Sequence, residues 1–296
     1  MDHSVSDHHP AAAAEWAKTG ASRFRVGSTA FASLLMTPAA IVMALFYFVP
    51  LLQVLWTSVT DPTPGLGNYA QLFSSPSIHR VLLTTARICV ETTIVTLVLG
   101  YLLAYAITQS AVRTQRIILL AVVLPMWISV LVRAFGWVTL LQREGIINSL
   151  LLSANVITEP LSLVWNEFGI AIGMVHYMIP YAVLPLYAVM RDIDPRCMAA
   201  ARSLGANRTQ AFVKVFLPLS KMGILGAGTL VLIYSVGFFT TPAILGGGKT
   251  LMVAEYISVQ IVEVLRWGIG TMLASSLIVA VLLLVVLVSR VMNVQR

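Results

Sequence analysis

The sequence predicts an all-α integral membrane protein with six transmembrane helices. Three observations predict it. First, the 296-residue chain is 58% hydrophobic and only 10% charged, whereas a soluble domain carries about 25% charged residues. Second, six apolar stretches, 31–59, 82–109, 117–141, 168–190, 222–245 and 271–289, are long enough to cross a membrane. A bilayer core about 30 Å thick needs roughly 20 apolar residues per helix. Third, 13 basic residues fall on one side of these stretches and 4 on the other. That asymmetry predicts cytoplasmic termini and a cytoplasmic central loop. Lipid leaves no backbone polar group unsatisfied, so the spans are expected to be helices.

Residues 1–28 are polar, rich in His and Ala, and without an apolar period; a mobile cytoplasmic tail is expected. The six-helix domain is expected over 29–296, with its core at about 80–290. The first span holds Pro38 and Pro50, whose freed carbonyls neighbouring helices can satisfy. It is too long for the apolar core of a signal peptide and is read as retained. Residues 61–76, rich in Pro, Gly, Asn and Ser, read as an external loop.

The second span carries Arg87 and Glu91 at i, i+4, a spacing that lets them pair on one face. Charge at membrane depth faces protein or water rather than lipid, so the pair either lines a path or anchors the helix near the external interface. Gly100, Ala104 and Thr108 form a stripe of small residues suited to close helix packing. In the third span Pro125 kinks or opens the helix, and Arg133 places a fixed charge inside it. Arg133 reads either as a path or gate residue, held through a carboxylate, or as an anchor between helices. Residues 142–165 could form an external helix or a shallow re-entrant element. The fourth span has His176, read as a packing residue, and Tyr177 and Tyr181 one turn apart, able to face a polar path. Pro180 and Pro185 suggest a bend there.

The GGGKT run after the fifth span resembles a phosphate-binding loop only superficially. Ala243 stands where that loop needs its first Gly. The run also follows a membrane helix rather than a strand, and it lies outside. Residues 253–266 read as an amphipathic external helix before the last span. Cys89 and Cys197 suggest neither a disulfide nor a metal framework. No metal site and no nucleophile–base constellation is expected, so the chain should not be an enzyme by itself. The basic residues lack the aromatic interleaving of a nucleic-acid surface.

The most structured polar segment is 194–220, DPRCMAAARSLGANRTQAFVKVFLPLS. Asp194 can cap a helix that begins at Pro195. Cys197, Ala200, Ala201 and Leu204 then share one face. Gly205 supplies a left-handed stop. Asn207 and Gln210 have the spacing of a capping box. Phe212, Val215, Phe216 and Leu219 repeat the helical period until Pro218 interrupts it.

This segment resembles the EAA loop of ABC-importer permeases of the MetI-like, type I kind: Glu-Ala-Ala, three residues, Gly, nine residues, Ile-x-Leu-Pro. Ala200, Ala201, Gly205, Leu217 and Pro218 match at that spacing, Val215 replaces Ile, and Ala199 replaces the Glu. The external stretch GLGNYAQLF is similar to the Asn-Tyr segment of the same family. Leu124-Pro125, Trp127, Val132-Arg133, Gly145–Asn148 and the run from Pro242 to Gly247 resemble the spermidine/putrescine-type branch. The likeness covers the chain from about Asn68 onward.

The resemblance implies a multi-pass subunit of a bacterial inner membrane, with N- and C-termini in the cytoplasm. It implies a second permease subunit, two ATPase subunits that carry ATP and Mg, and an extracytoplasmic substrate-binding protein. No cofactor is expected on this chain. Ala199, Ala200, Ala201, Leu204, Gly205, Phe212, Val215, Leu217 and Pro218 would then dock on an ATPase subunit. Arg87, Glu91, Arg133, Tyr177 and Tyr181 are candidates for the path or its gate. The branch points to polyamines; related permeases take opines, amino-acid derivatives or ferric iron. An ion-gradient transporter and a membrane receptor or scaffold are the other readings. An ion-gradient transporter would not explain a capped hairpin of this spacing, and the sequence lacks the paired broken helices of inverted halves; transport with and without ATP separates all three readings.

Overall fold

The computed structural model describes residues 27–294, with side chains from 36 to 290. The tail of 1–26, with His3, His8, His9, Lys18, Arg23 and Arg25, lies outside the described residues, as does Arg296. The chain divides into two units, 1–56 and 57–296. The first contributes most of helix α1, Gly27–Thr60, which continues through Pro38 and Pro50.

The second unit is built on three helices: α3, Pro76–Thr108; α7, Glu167–Arg191; and α10, Lys221–Val236. Each packs on the other two, and small residues set their spacing. A Cβ on Gly100 of α3 would lie 2.8 Å from the Ala182 Cβ of α7, and one on Gly228 of α10 would lie 3.1 Å from Leu97. Ala104, Met178, Ala182, Val183, Leu186, Ala227 and Val231 fill the seam and are buried. The stripe of Gly100, Ala104 and Thr108 is therefore a packing surface. Helix α7 starts where Asn166 accepts a hydrogen bond from Gly169 N at 2.9 Å, and it runs unbroken past Pro180 and Pro185.

Two expected spans are broken. The third divides into α4, Val112–Val123, a 3-10 turn at Leu124–Trp127, and α5, Val130–Leu141; its two arms diverge by 100°. Pro125 lacks the N–H and the space that a continuing helix requires, so the chain turns there instead of bending gently. The fifth span stops at Val236 and restarts as α11, Thr240–Gly246. Gly237 ends one helix, and Pro242 fits only in the first turn of the next. Among the described residues four helices are long and apolar enough to cross a membrane; taking the broken third span as one, and Arg208–Leu219 together with α10 as another, gives up to six.

The far end of the bundle, opposite the hairpin, is more ordered than a set of loops. Residues expected as loop form α2, Gly67–Ser74. Asn68 on α2 donates to Ser58 O at 3.1 Å and Asp61 O at 2.6 Å. The Asp61 carboxylate accepts from Gly268 N at 2.7 Å, which ties this end to α13, Trp267–Val294. A Cβ on Gly268 would strike Asp61 O. After α5 the chain forms α6, Ile146–Ser153. There the buried Asn148 donates to Gln142 O and Leu161 O and accepts from Leu161 N.

The GGGKT glycines make a turn at the end of α11. Gly247 and Gly248 have φ of 56° and 70°, a region that glycine enters without penalty. The expected long amphipathic helix is shorter: α12 spans Val253–Ser258, followed by a π-turn at Val259–Glu263. Leu265, at φ 59°, breaks the chain before α13.

Candidate functional site

The hairpin follows α7 directly. Its first helix, α8, spans Pro195–Ser203. The Asp194 carboxylate accepts from Arg196 N at 2.8 Å. At the other end Gly205 N donates to Arg202 O at 3.0 Å and Ala206 N to Ala201 O at 3.1 Å. This bond pair is a Schellman closure, which needs a left-handed residue at its turn; Gly205 has φ 91°. Its surroundings are open, with no atom within 4 Å of a Cβ placed there. The demand for glycine is thus conformational and not steric.

The second helix, α9, begins at Arg208–Ala211. Asn207 and Gln210 form the reciprocal box, with Gln210 N to Asn207 Oδ1 at 2.8 Å and Asn207 N to Gln210 Oε1 at 3.0 Å. The chain continues through a π-turn at Phe212–Phe216 and a last turn at Leu217–Leu219. It then bends by 61° into α10.

The two helices face different neighbours. On α8, Cys197, Ala199 and Ala200 are exposed, and Leu204 at its end is 90% exposed. On the second helix, Ala211 and Phe216 are buried, and Phe212, Val215 and Leu217 are half-buried. Phe212 and Phe216 stack at 5.8 Å between centroids. Both meet Tyr105 of α3 edge-on, at 5.2 and 5.0 Å. Phe212 also meets Tyr101 at 6.1 Å, and the Tyr101 hydroxyl pairs with Ser220 Oγ at 2.9 Å. One arm is therefore clamped to the bundle while the other presents a free surface. Tyr101 and Tyr105 were invisible as partners in the sequence, although their i, i+4 spacing marks one face of α3. Between hairpin and bundle lies a cleft of about 850 Å³ lined by Arg191, Arg202, Arg208, Asp194 and Ala199, among others.

Arg87, Glu91, Arg133, Tyr177 and Tyr181 do not form one group. Arg87 pairs with Glu167, the first residue of α7, instead of Glu91. A helical side chain points toward its helix N-terminus, which here directs Arg87 to the far end. Glu91 lies a turn further into the span, where holding a charge costs more. It is exposed and has no partner among the described residues.

Arg133, Tyr177 and Tyr181 do meet. The Arg133 guanidinium stands 4.4 Å from the Tyr177 ring centroid. Among the described residues it has no carboxylate partner, and its buried Nε has no hydrogen bond. Tyr177 stacks on Tyr181 at 5.8 Å and 17° and meets Phe238 at 4.6 Å. Tyr181 meets Tyr234 at 4.8 Å. Tyr234 and Phe238, four residues apart near the end of α10, complete an aromatic group that the reading of single spans missed. His176 accepts from Trp137 Nε1 at 3.1 Å, a satisfied packing role.

A bundle of long apolar helices with a capped, partly exposed hairpin defines a multi-pass membrane transport component. The chain belongs to the family of binding-protein-dependent transport system inner membrane components, whose profile matches residues 92–296. It is 29% identical over 253 residues to the Escherichia coli spermidine/putrescine transport system permease protein PotB, covering 82% of this chain and 92% of that protein. It is 33% identical over 218 residues to the Haemophilus influenzae PotB, covering 74% and 76%. A solved bacterial alginate ABC transporter, in complex with an alginate pentasaccharide-bound periplasmic protein, has a chain of similar fold. Its TM-score is 0.73 at 18% identity, with 87% of this chain and 92% of that chain covered. The chain is an inner-membrane permease of the ABC-importer class, with the MetI-like fold expected from its hairpin.

Proposed function

We propose that this permease imports polyamines, putrescine or spermidine, on energy from ATP hydrolysed by separate partner subunits. The observation that carries the proposal is the division of labour in the hairpin. Leu204 and the exposed face of α8 offer a docking surface, and the clamp of Phe212 and Phe216 on Tyr101 and Tyr105 couples that surface to α3. A coupling element must make different contacts in two states. A capped, braced hairpin can carry a rotation into the spans; a slack loop could not.

In this reading the hairpin and both termini are cytoplasmic, and the far end faces a substrate-binding protein. The working assembly is a pair of permease subunits with two ATPase subunits, which bind ATP and Mg. This chain carries no catalysis. Ala199, Ala200, Ala201, Leu204 and Gly205 form the docking part. Phe212, Val215, Leu217 and Pro218 form the arm that transmits the motion. Arg133, Tyr177 and Tyr181 line the membrane path. Likeness to PotB over most of the chain supports the substrate class. Of the three groups an ion-coupled carrier would use, Arg87 pairs with Glu167 and His176 with Trp137, and Glu91 has no partner among the described residues.

The test is uptake into proteoliposomes holding the complete assembly and its binding protein. ATP-dependent accumulation of labelled putrescine or spermidine is expected. Accumulation driven by an ion gradient without ATP, or ATP-driven uptake of another solute only, would overturn the proposal.

A further inference from the structure

The aromatic group around Arg133 has the composition of a cation site, and a cation already occupies it. Tyr177 lies near the middle of α7, inside the span. A charge at that depth is costly unless something compensates it. No carboxylate does so among the described residues, and the Arg133 Nε is buried without a partner. The compensation present is the face of Tyr177, 4.4 Å from the guanidinium. The Tyr177 ring also meets Tyr181 and Phe238, and Tyr181 meets Tyr234. Stacked and tilted rings present electron-rich faces to any donor-only cation.

We infer that Arg133 is a tethered plug, whose guanidinium holds the Tyr177 face that an alkylammonium group of the solute takes over when Arg133 swings aside. Two unit charges cannot share this face. Among the described residues no carboxylate pairs with Arg133 to neutralise the second, and repulsion at a few ångströms inside a membrane protein is strong. Arg133 and solute therefore alternate. Arg133 thus sets specificity in two ways: it closes the site when empty, and it yields only to a competing cation. The inference rests on the reading that α7 and α10 line the path. It names primary and secondary ammonium groups as the chemistry recognised there.

The experiment measures equilibrium binding of labelled putrescine to the assembled membrane complex, without ATP or binding protein. The wild type should bind weakly. Arg133→Gln should bind about tenfold more tightly, because the competitor for the π face is gone. Arg133→Met, a second uncharged residue, should show the same gain and stands in if the Gln variant does not assemble. Adding Tyr177→Leu should abolish the gain, while adding Tyr177→Phe, which keeps a ring, should preserve most of it. The neutral isostere 1,4-butanediol should show no gain in any variant.

Unchanged putrescine affinity in both Arg133 variants would overturn the inference. So would succinate binding by the wild type that vanishes in Arg133→Gln, because Arg133 would then be a receptor for anions. Uptake keeps the two readings apart. A binding gain without ATP-driven polyamine uptake would leave the plug standing and sink the substrate assignment. Polyamine uptake without any gain would do the reverse.

Discussion

The Phe216 ring meets Tyr105 edge-on with centroids 5.0 Å apart, and this contact joins the hairpin to the longest helix of the core. Aromatic pairs of this geometry contribute about 0.5–1.5 kcal/mol beyond their buried area. Phe212 makes a second such contact with the same ring. Tyr105→Ala should loosen the arm while leaving the α8 face intact. The expected result is normal ATPase co-purification with uptake per ATP reduced several-fold. Tyr105→Phe keeps the ring and should behave as wild type. Measuring uptake and hydrolysis on the same proteoliposomes checks this, and unchanged stoichiometry in Tyr105→Ala would refute it.

Position 199 gives a gain-of-contact test. Ala199 is exposed and lines the cleft that holds Arg202 and Arg208. Ala199→Glu places a carboxylate three residues before Arg202, a spacing that stabilises helices by about 0.2–0.5 kcal/mol. The variant should assemble and transport as the wild type does, with equal or slightly higher thermal stability. A loss of assembly would mean that the side chain at 199 points into a partner and not the cleft.

Orientation is open to cysteine labelling. Cys89 is buried and Cys197 is exposed, so Cys197→Ser gives a quiet background. Thr209→Cys in the hairpin should react with an impermeant reagent from the cytoplasmic side. Gly247→Cys would force a side chain into Trp165, and Gly248 has a left-handed φ of 70°, so the exposed Lys249 is the better far-end site. Lys249→Cys should react from the exterior. Labelling of both from one side would reverse the topology.

Glu255 supplies a pH signature at the far end. Burial, with Glu263 adding repulsion, pushes its carboxyl up to about 7 from the ordinary 4.5. Between these values the folded state holds a proton that the unfolded state has lost. Stability from this group therefore falls as pH rises from about 4.5 to 7 and levels off above. Glu255→Gln should remove that slope. At pH 8 it should gain on the order of 1–3 kcal/mol, seen as a thermal midpoint several degrees higher. A variant that melts at or below the wild type at pH 8 would contradict the burial argument.

The hairpin was legible to the level of single hydrogen bonds. Asp194, Gly205, Asn207 and Gln210 act through local backbone geometry, which four or five residues of sequence specify. The spans were legible as apolar lengths, because lipid imposes length and composition on each one separately. The breaks at Pro125 and Gly237 were harder to place: a proline in a span can kink, break or be tolerated, and neighbouring helices decide which. Arg87 illustrates the remaining gap. Its i, i+4 neighbour Glu91 was the visible partner, yet Glu167 lies 80 positions away in sequence. The aromatic group around Arg133 was half visible for the same reason, since Tyr177 and Tyr181 share a helix but Tyr234 comes from α10 and Phe238 from the break that follows it.

Gly205→Val tests the central claim, that the 194–220 hairpin couples ATP hydrolysis to the membrane path. The left-handed φ of 91° at Gly205 is costly for any L-residue and most costly for a β-branched one. Open space around it means that the substitution acts through the turn alone. The measurement is co-purification of the ATPase with the variant membrane complex, alongside ATP-driven uptake. The account predicts a variant that reaches the membrane and pairs with its permease partner, but retains little ATPase and little uptake. Undiminished ATPase co-purification together with undiminished uptake would contradict it.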